Sequence, residues 1–447
     1  MSKVNGLTRG DVRRNARKAA LRELVPAGGA VVGVDLGERK QALVVTGADN
    51  RVVARRSPRA GVHELGGHLD WAAERAVAAG YGTVTVACEP TGSRWMVVQE
   101  LCAARGLALV CVQPLVSHVA REQQDLTGDK ADEPDSELIA RLARELHCYV
   151  PEVAEPGWAE LRAAGRDRAA LITRATAARQ LIRDQLGLIA PGLVQVHSDP
   201  LESATWLACL AAALDGPGGD GVAGAAGYAA FAAGAAARLG GWGGRRLGPT
   251  AAKFHAVLSG PVTVPRMARA ARRRLAGALE DLRYARARRE QLEQDMIAML
   301  GELGIDWQRI CQIPGLAPAG LAAILAEAGD PRRFQSSSSL VKHAGMAPAR
   351  NESGAFAGKT KMSHRGRPGL RLAAWRATWA VLRHCDVLAA KHAALTSRDQ
   401  NRLADAQARV ACAASLLRWI WALTVHGTGW NPAIAAGQLS HHHATAA

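Results

Sequence analysis

Residues 30–56, AVVGVDLGERKQALVVTGADNRVVARR, decide the fold. Three short apolar, β-branched runs, 30–35, 41–46 and 51–56, are separated by Gly37-Glu38 and Asp49-Asn50. Such runs between turn signals predict an antiparallel meander. Downstream the period changes. Helical spacing over 62–79 is followed by a strand over 82–88, a helix over 95–105 and a strand over 107–112 closed by Pro114. Another helix is predicted to start at Asp135 and run through Leu138, Ile139 and Leu142. Three strands, helix, strand, helix, strand, helix describes a mixed sheet between helical layers.

That order is the ribonuclease-H-like layout, and four carboxylates fall at telling places on it. Asp35 ends the first strand and Glu89 the fourth, just before Pro-Thr-Gly. Asp132 and Asp135 lie three apart at a helix start, hence on one face. A hard divalent cation takes oxygen ligands, and a two-metal site clamps the attacking and leaving oxygens of an in-line displacement. Four acids that converge repel one another unless metal or protons intervene. Taken singly, each acid also has a plain role: Asp132 as an N-cap, Asp135 as a first-turn acid, Asp35 as a turn residue.

Against these acids stands a basic chain. The 447 residues carry 56 Lys+Arg and 40 Asp+Glu, a formal net charge of +16, which favours a polyanionic partner. The length implies two to four domains. At 48% hydrophobic but 4% aromatic, the cores must be built mainly from Ala, Leu and Val. The 8 cysteines include no CxxC pair, so free thiols are expected and structural zinc is not. No apolar h-region precedes Gly29, and the apolar stretch over 410–425 carries Arg418, so a cytoplasmic, bacterial protein without membrane association is expected.

The predicted organisation is a basic N-terminal arm (1–29), the sheet domain (30–150), antiparallel coiled-coil arms (151–304), a helical domain (305–432) and a flexible tail (433–447). The arm reads equally as a solvated tail or a nucleic-acid contact. The coiled-coil arms rest on stripes through Leu161, Ala164, Leu171, Ala175, Ala178 and Ile182, and through Leu275, Leu279, Leu282, Leu292, Met296 and Leu300. A Gly/Ala-rich helical insertion at 190–264 interrupts them. The segment 313–327 reads as a helix-hairpin-helix or as ordinary helix packing. Around Ser353 and Ser363, the bases Arg350, Lys359, Lys361, Arg365, Arg367 and Arg371 suit a nucleic-acid phosphate backbone. The run Ser336–Ser339 reads as a cap for the helix at Leu340.

Together GVDLGERK, CEPTG, KADEPDSELIA, IPGLAPAGLAAILAEAGDPRRF, HAGMAPARNESG and KMSHRGRPGLRLAAW resemble the transposases of the one-ten family of insertion sequences, the bridge-RNA-guided recombinases. The resemblance covers most of 30–148 and 306–430. It implies an N-terminal RuvC-like domain with an Asp-Glu-Asp-Asp metal tetrad, here Asp35, Glu89, Asp132 and Asp135, with Mg²⁺ as cofactor. It implies a helical transposase domain whose serine in Glu-Ser-Gly, here Ser353, attacks DNA covalently. It further implies a structured guide RNA that pairs with donor and target DNA, and a homo-oligomer, a dimer of dimers, whose acids and serine come from different subunits. Ala131 and Ser136 replace the family's usual neighbours of the second acid pair, and His343 stands where an aromatic is common.

Three other readings compete. A structure-specific endonuclease would use the four acids and water. A nucleic-acid scaffold would use neither acids nor serine. VVGVDLGERK also resembles the first phosphate loop of actin-like sugar kinases, but Gly37-Glu38-Arg39 stands where those have Gly-Gly-Thr, and no second phosphate loop follows.

Overall fold

The structure, a computed structural model, describes residues 7–59, 61–124, 135–153, 155–215, 227–239, 244–349, 352–353, 356–357 and 361–437. It divides into two compact units, Met1–Val153 and Ala154–Ala447.

In the first unit the elements run α1 (Arg9–Leu24), β1 (Ala30–Asp35), β2 (Ala42–Thr46), β3 (Val52–Arg56), α2 (Val62–Ala78), β4 (Val84–Cys88), α3 (Arg94–Ala103), β5 (Ala108–Cys111), α4 (Pro114–Gln124) and α5 (Asp135–Arg144). The five strands form one sheet in the order β3-β2-β1-β4-β5. The meander pairs are antiparallel, whereas β1–β4 and β4–β5 are parallel. Alternation along each strand splits the core in two. Val32, Val34, Leu43, Val45, Val86 and Cys88 pack with Leu65 and Leu69 of α2 and Val98 and Cys102 of α3. Val31, Val44, Ala87 and Val110 pack with Leu138, Ile139 and Leu142 of α5 on the opposite face. This is the mixed, helix-covered sheet of the ribonuclease-H-like layout.

Two helices here escape the sequence pattern. Within the basic arm, Thr8 and Asp11 form a capping box that starts α1. Among the described residues of α1 and its C-cap, Leu21 and Val25 are the buried hydrophobics, in the α5-side core; two such anchors are too sparse for a period. After β5, Pro114 opens α4 instead of merely ending a strand, as suits a residue with no N–H to pair.

The second unit is mostly helical: α6 (Pro156–Ile189), α7 (Gly192–Gln195), α8 (Ala204–Asp215), α9 (Tyr228–Ala237), α10 (Gly244–Leu258), α11 (Ala268–Glu302), α12 (Trp307–Ile310), α13 (Pro318–Ala328) and α14 (Ser337–His343). Then come β6 (Pro348–Ala349), β7 (Glu352–Ser353), β8 (Phe356–Ala357), β9 (Lys361–Met362), α15 (Pro368–His384), α16 (Asp386–Ser397), α17 (Asp405–His426) and α18 (Pro432–Ala435).

Helices α6 and α11 run antiparallel. Arg168 pairs with Glu293 at 2.7 Å and Arg174 with Asp281 at 2.6 Å, so rising numbers on one meet falling numbers on the other. At 34 and 35 residues, each is about 50 Å long. One end of the pair, with Trp158, Leu161, Met296 and Leu300, joins the core built by α13, α14, α15 and α17. The other end, with Ile182, Leu186, Leu275 and Leu282, joins a second core that holds Trp206, Phe231 and Phe254 from α8, α9 and α10. There Trp206 meets Phe254 edge-on at 5.4 Å and donates its indole N–H to the Leu193 carbonyl at 2.8 Å.

Helix α17 is long and apolar enough to cross a membrane by length and composition, and half of that stretch is buried. Its Cys412, Leu416, Leu417 and Ile420 sit in the centre of the first helical core, which accounts for its hydropathy. Ser336 caps α14 by accepting from the Ser339 N–H. The turn at Gly315 has φ +82°, and a Cβ there would lie 2.6 Å from the Ala380 carbonyl, so close packing on α15 requires glycine.

Candidate active site

In the sheet, β1 and β4 are adjacent and parallel, so their carboxyl ends open on the same edge. Asp35 is the last residue of β1 and Glu89 follows β4 directly. The register pairs Val34 with Cys88, so the two acids sit one step further along neighbouring strands. By alternation Asp35 shares the face of Val31 and Gly33, and Glu89 that of Ala87. This is the face that α5 covers.

Gly33 sets how closely α5 approaches. A Cβ on it would lie 1.8 Å from the Ser136 carbonyl oxygen and 3.0 Å from the Ala140 methyl. With no side chain there, the first turn of α5 rests directly on β1, and Asp135, the first residue of that helix, is brought near Asp35. The effect is electrostatic as well as geometric. Burial raises the Asp35 carboxyl above its ordinary range, the charge of Asp135 raises it further, and Arg121 opposes both. Arg121, on α4, pairs with Asp135 at 2.9 Å.

Around these acids, other groups fix position. The Ser117 hydroxyl, fully buried on α4, lies 3.1 Å from Glu89 Oε1 and 3.0 Å from the Pro114 carbonyl. Arg94, at the start of α3, donates to the carbonyl of Gly37, in the loop that leaves Asp35. Neither group carries a motif signal. Ser117 lies on a helix the sequence pattern does not reveal, and Arg94 reads as an ordinary first-turn residue.

Asp132 lies outside the described residues, as do Arg350 and Lys359. Among the described residues no three potential metal ligands group together. What the described part offers is a half-buried carboxylate, Asp35, beside an exposed one, Asp135, whose mutual repulsion is only partly offset by one arginine. An oxygen donor set with surplus negative charge suits a hard divalent cation, so the residues fit Mg²⁺.

Ser353 lies on a different unit. Antiparallel pairing of β6 with β9 forms the base of a hairpin, and β7 pairs with β8 further out. The register Ser353↔Phe356 places Ser353 at the last pair before the two-residue connection. The base is tied down by backbone. Ser363 N donates to the Ala347 carbonyl at 3.0 Å, His364 N to Gly345 at 3.1 Å and Arg367 N to His343 at 2.8 Å. Gly366 lies so close that a Cβ would stand 2.4 Å from the His343 carbonyl.

The candidate bases of this region divide. The Arg367 guanidinium donates to the Glu327 carbonyl at 3.0 Å and that of Arg371 to Ala344 at 2.9 Å, so both help hold the hairpin's base. Lys361 and Arg365 are exposed. The Ser363 hydroxyl donates to the Gly345 carbonyl at 3.2 Å, a structural tie. His343, packed on Phe334 at 5.2 Å, is held down to about 4 by burial and by the charges of Arg333, Arg367 and Arg162.

Two family models match the chain. A transposase model of the IS110 DEDD type matches residues 32–191, a span that contains Asp35, Glu89, Asp132 and Asp135. A model described as "Transposase IS116/IS110/IS902 family" matches residues 307–393, which contain the Ser353 hairpin. No curated protein matches. The acid-bearing sheet and the serine hairpin thus fall, in chain order, within two models of a single group, and the chain belongs to the IS110 family of transposases.

Proposed function

We propose that this transposase cuts and rejoins DNA strands through a phosphoserine intermediate on Ser353, with Asp35, Glu89, Asp132 and Asp135 as the metal ligands. The observation that carries the reading is the approach of Asp35 and Asp135 at the carboxyl edge of the parallel strands, where burial and like charge leave a site short of positive charge. Bound there, Mg²⁺ would supply Lewis-acid polarisation of the scissile phosphate and charge neutralisation among the carboxylates.

The chain's own residues do the rest. The Ser353 oxygen attacks phosphorus, the new P–O bond replaces the bond to the 3′ oxygen, and the freed 3′-hydroxyl is available to rejoin a new partner. A serine hydroxyl needs activation near neutral pH, and a cation held by the four acids would ease loss of its proton to water. Ser117 orients Glu89, and Arg121 holds Asp135. Lys361, Arg365, Arg367 and Arg371, with Arg350 and Lys359, contact phosphate. A structured guide RNA selects donor and target DNA, and the acids and serine meet between subunits of a homotetramer.

The test uses the full chain with the RNA transcribed from its native locus, donor and target DNA, and Mg²⁺, followed on denaturing gels. A protein–DNA adduct that disappears in Ser353→Ala and persists in Ser363→Ala supports the reading. Mg²⁺-dependent cleavage with no adduct would assign the attack to water. Strand exchange that proceeds without RNA would remove the guide.

A further inference from the structure

The helical unit holds a second concentration of positive charge, away from the hairpin in sequence and on other elements. A cavity of about 760 Å³ opens between α16, α17 and α18, lined by Val387, Ala390, Lys391, Ser415, Arg418 and Trp419, among others. Lys391 projects from α16 and its ammonium donates to the Ser415 hydroxyl of α17 at 2.5 Å. Ser415, 5% exposed, donates its own proton to the Ala411 carbonyl at 3.3 Å. Arg418 follows Ser415 by three residues and so lies on the same face of α17. Among the described residues no carboxylate lines the cavity, and neither Lys391 nor Arg418 has an acidic partner within ion-pair distance. Burial and the charge of Arg418 both press the Lys391 ammonium below its ordinary range, while Cys412 opposes them.

Two cations that face one cavity, one of them bonded to a hydroxyl, form a wall complementary to an anion. A phosphate has the acceptor oxygens to take the lysine and arginine together. The remaining wall narrows the choice. Trp419 belongs both to this cavity and to the adjoining hollow lined by Trp430, Asn431 and Ile434. It meets Trp430 edge-on at 4.9 Å, which fixes the plane of its ring. A cationic pocket beside fixed aromatic rings matches how single-stranded polynucleotides are held, with backbone on the charges and an unpaired base on the aromatic. A duplex hides its base faces and would use only the charges.

We propose that the Lys391–Ser415–Arg418 cavity binds a phosphate of a single-stranded nucleic acid, with the neighbouring base against Trp419. This inference rests on the cavity alone and stands apart from the strand-exchange chemistry proposed above.

The experiment uses the full-length protein and a short single-stranded oligonucleotide bearing one photoreactive 5-iodouridine. After irradiation, the crosslinked peptide is identified by mass spectrometry. The expected crosslink lies on the peptide containing Trp419. It should fall at least about 5-fold in Lys391→Gln/Arg418→Gln. The same double variant should lower the salt slope of single-strand binding by about 0.7–1, the change expected when the protein no longer neutralises one phosphate. Because Trp419 touches the core, Trp419→Leu is used only if its melting temperature is unchanged; the charge variants carry the test otherwise. Competition by inorganic phosphate as strong as by oligonucleotide, a crosslink confined to other peptides, or an unaltered salt slope in the double variant would each overturn the proposal. Strand exchange by Ser353→Ala tests the other reading and has no bearing on this one.

Discussion

The acid edge of the sheet and the serine hairpin are held in opposite ways. Asp35 and Glu89 terminate strands whose other residues are almost wholly buried, and Asp135 begins a helix laid directly on one of them. The acids are therefore placed by the packing of an entire core. The hairpin's four strands are two residues each, and of its base residues Pro348, Ala349 and Lys361 are exposed. Its position comes from backbone hydrogen bonds and two arginines at its root. The proposed metal site would have to keep repelling charges in place, and a packed core opposes that repulsion. The proposed nucleophile would have to reach a polymer, which suits a short arm with a firm base.

The sharpest way to break this contrast is to remove the proposed nucleophile. Ser353→Ala should lower strand exchange by about 10⁴-fold or more, while melting temperature and nucleic-acid affinity stay as they are; a variant that exchanges strands normally removes Ser353 from the reaction. Asp35→Asn should lower Mg²⁺-dependent cleavage by about 10³-fold and at the same time raise the melting temperature of the metal-free protein. The sign follows from the raised carboxyl: the fold disfavours the charged form, so stability is full below the ordinary value of 3.8 and is lost as pH rises through the folded value. The gap between variant and parent should be wide at pH 7 and close on acidification. An unchanged gap across pH would mean that Asp35 is not under charge stress.

Gly33→Ala asks whether close packing places Asp135. Overpacking of this kind costs about 1–3 kcal/mol, and because α5 must lift from β1, cleavage should fall by about 10-fold or more even at temperatures where the variant is folded. Full activity in a folded Gly33→Ala would show that the helix start does not depend on that contact. Ser117→Ala should have a milder effect, about 10-fold on Mg²⁺ affinity or cleavage, through loss of the bond that orients Glu89. The smallest effect expected is at the hairpin's root. His343 is held neutral, so its contribution is complete above 6.5 and is lost as pH falls toward about 4. Acid should thus relax the acid edge and weaken the hairpin base. His343→Phe should flatten the second of these trends, read as melting temperature against pH.

Much of this was written in the residue pattern. The strand ends that carry Asp35 and Glu89 are legible because β-branched runs stop at turn residues, and the long helices because Leu and Ala recur over many turns. What stayed hidden depends on contacts between distant segments. Nothing local says that Gly33 is there for Ser136, that Ser117 answers Glu89, or that Arg367 and Arg371 spend donors on carbonyls inside the fold. A run of bases around a serine looks alike whether its members face solvent or brace a turn. Asp132, which falls outside the described residues, stands on sequence and family alone.

The pairing of α6 with α11 has a consequence for how the chain can change over time. Where the two helices end, the return segment is stitched to the outgoing one, Val264 N donating to the Leu188 carbonyl at 2.9 Å. Everything between is a closed excursion that begins and ends at one place, a cassette that insertion and deletion can rework without altering the reading of the rest. Yet the far half of the helix pair is apolar because the cassette covers it, through Ile182, Leu186, Leu275 and Leu282. A relative that trims the cassette must shorten the helices in step or else polarise their exposed seam, so the lengths of the two are inherited as one variable.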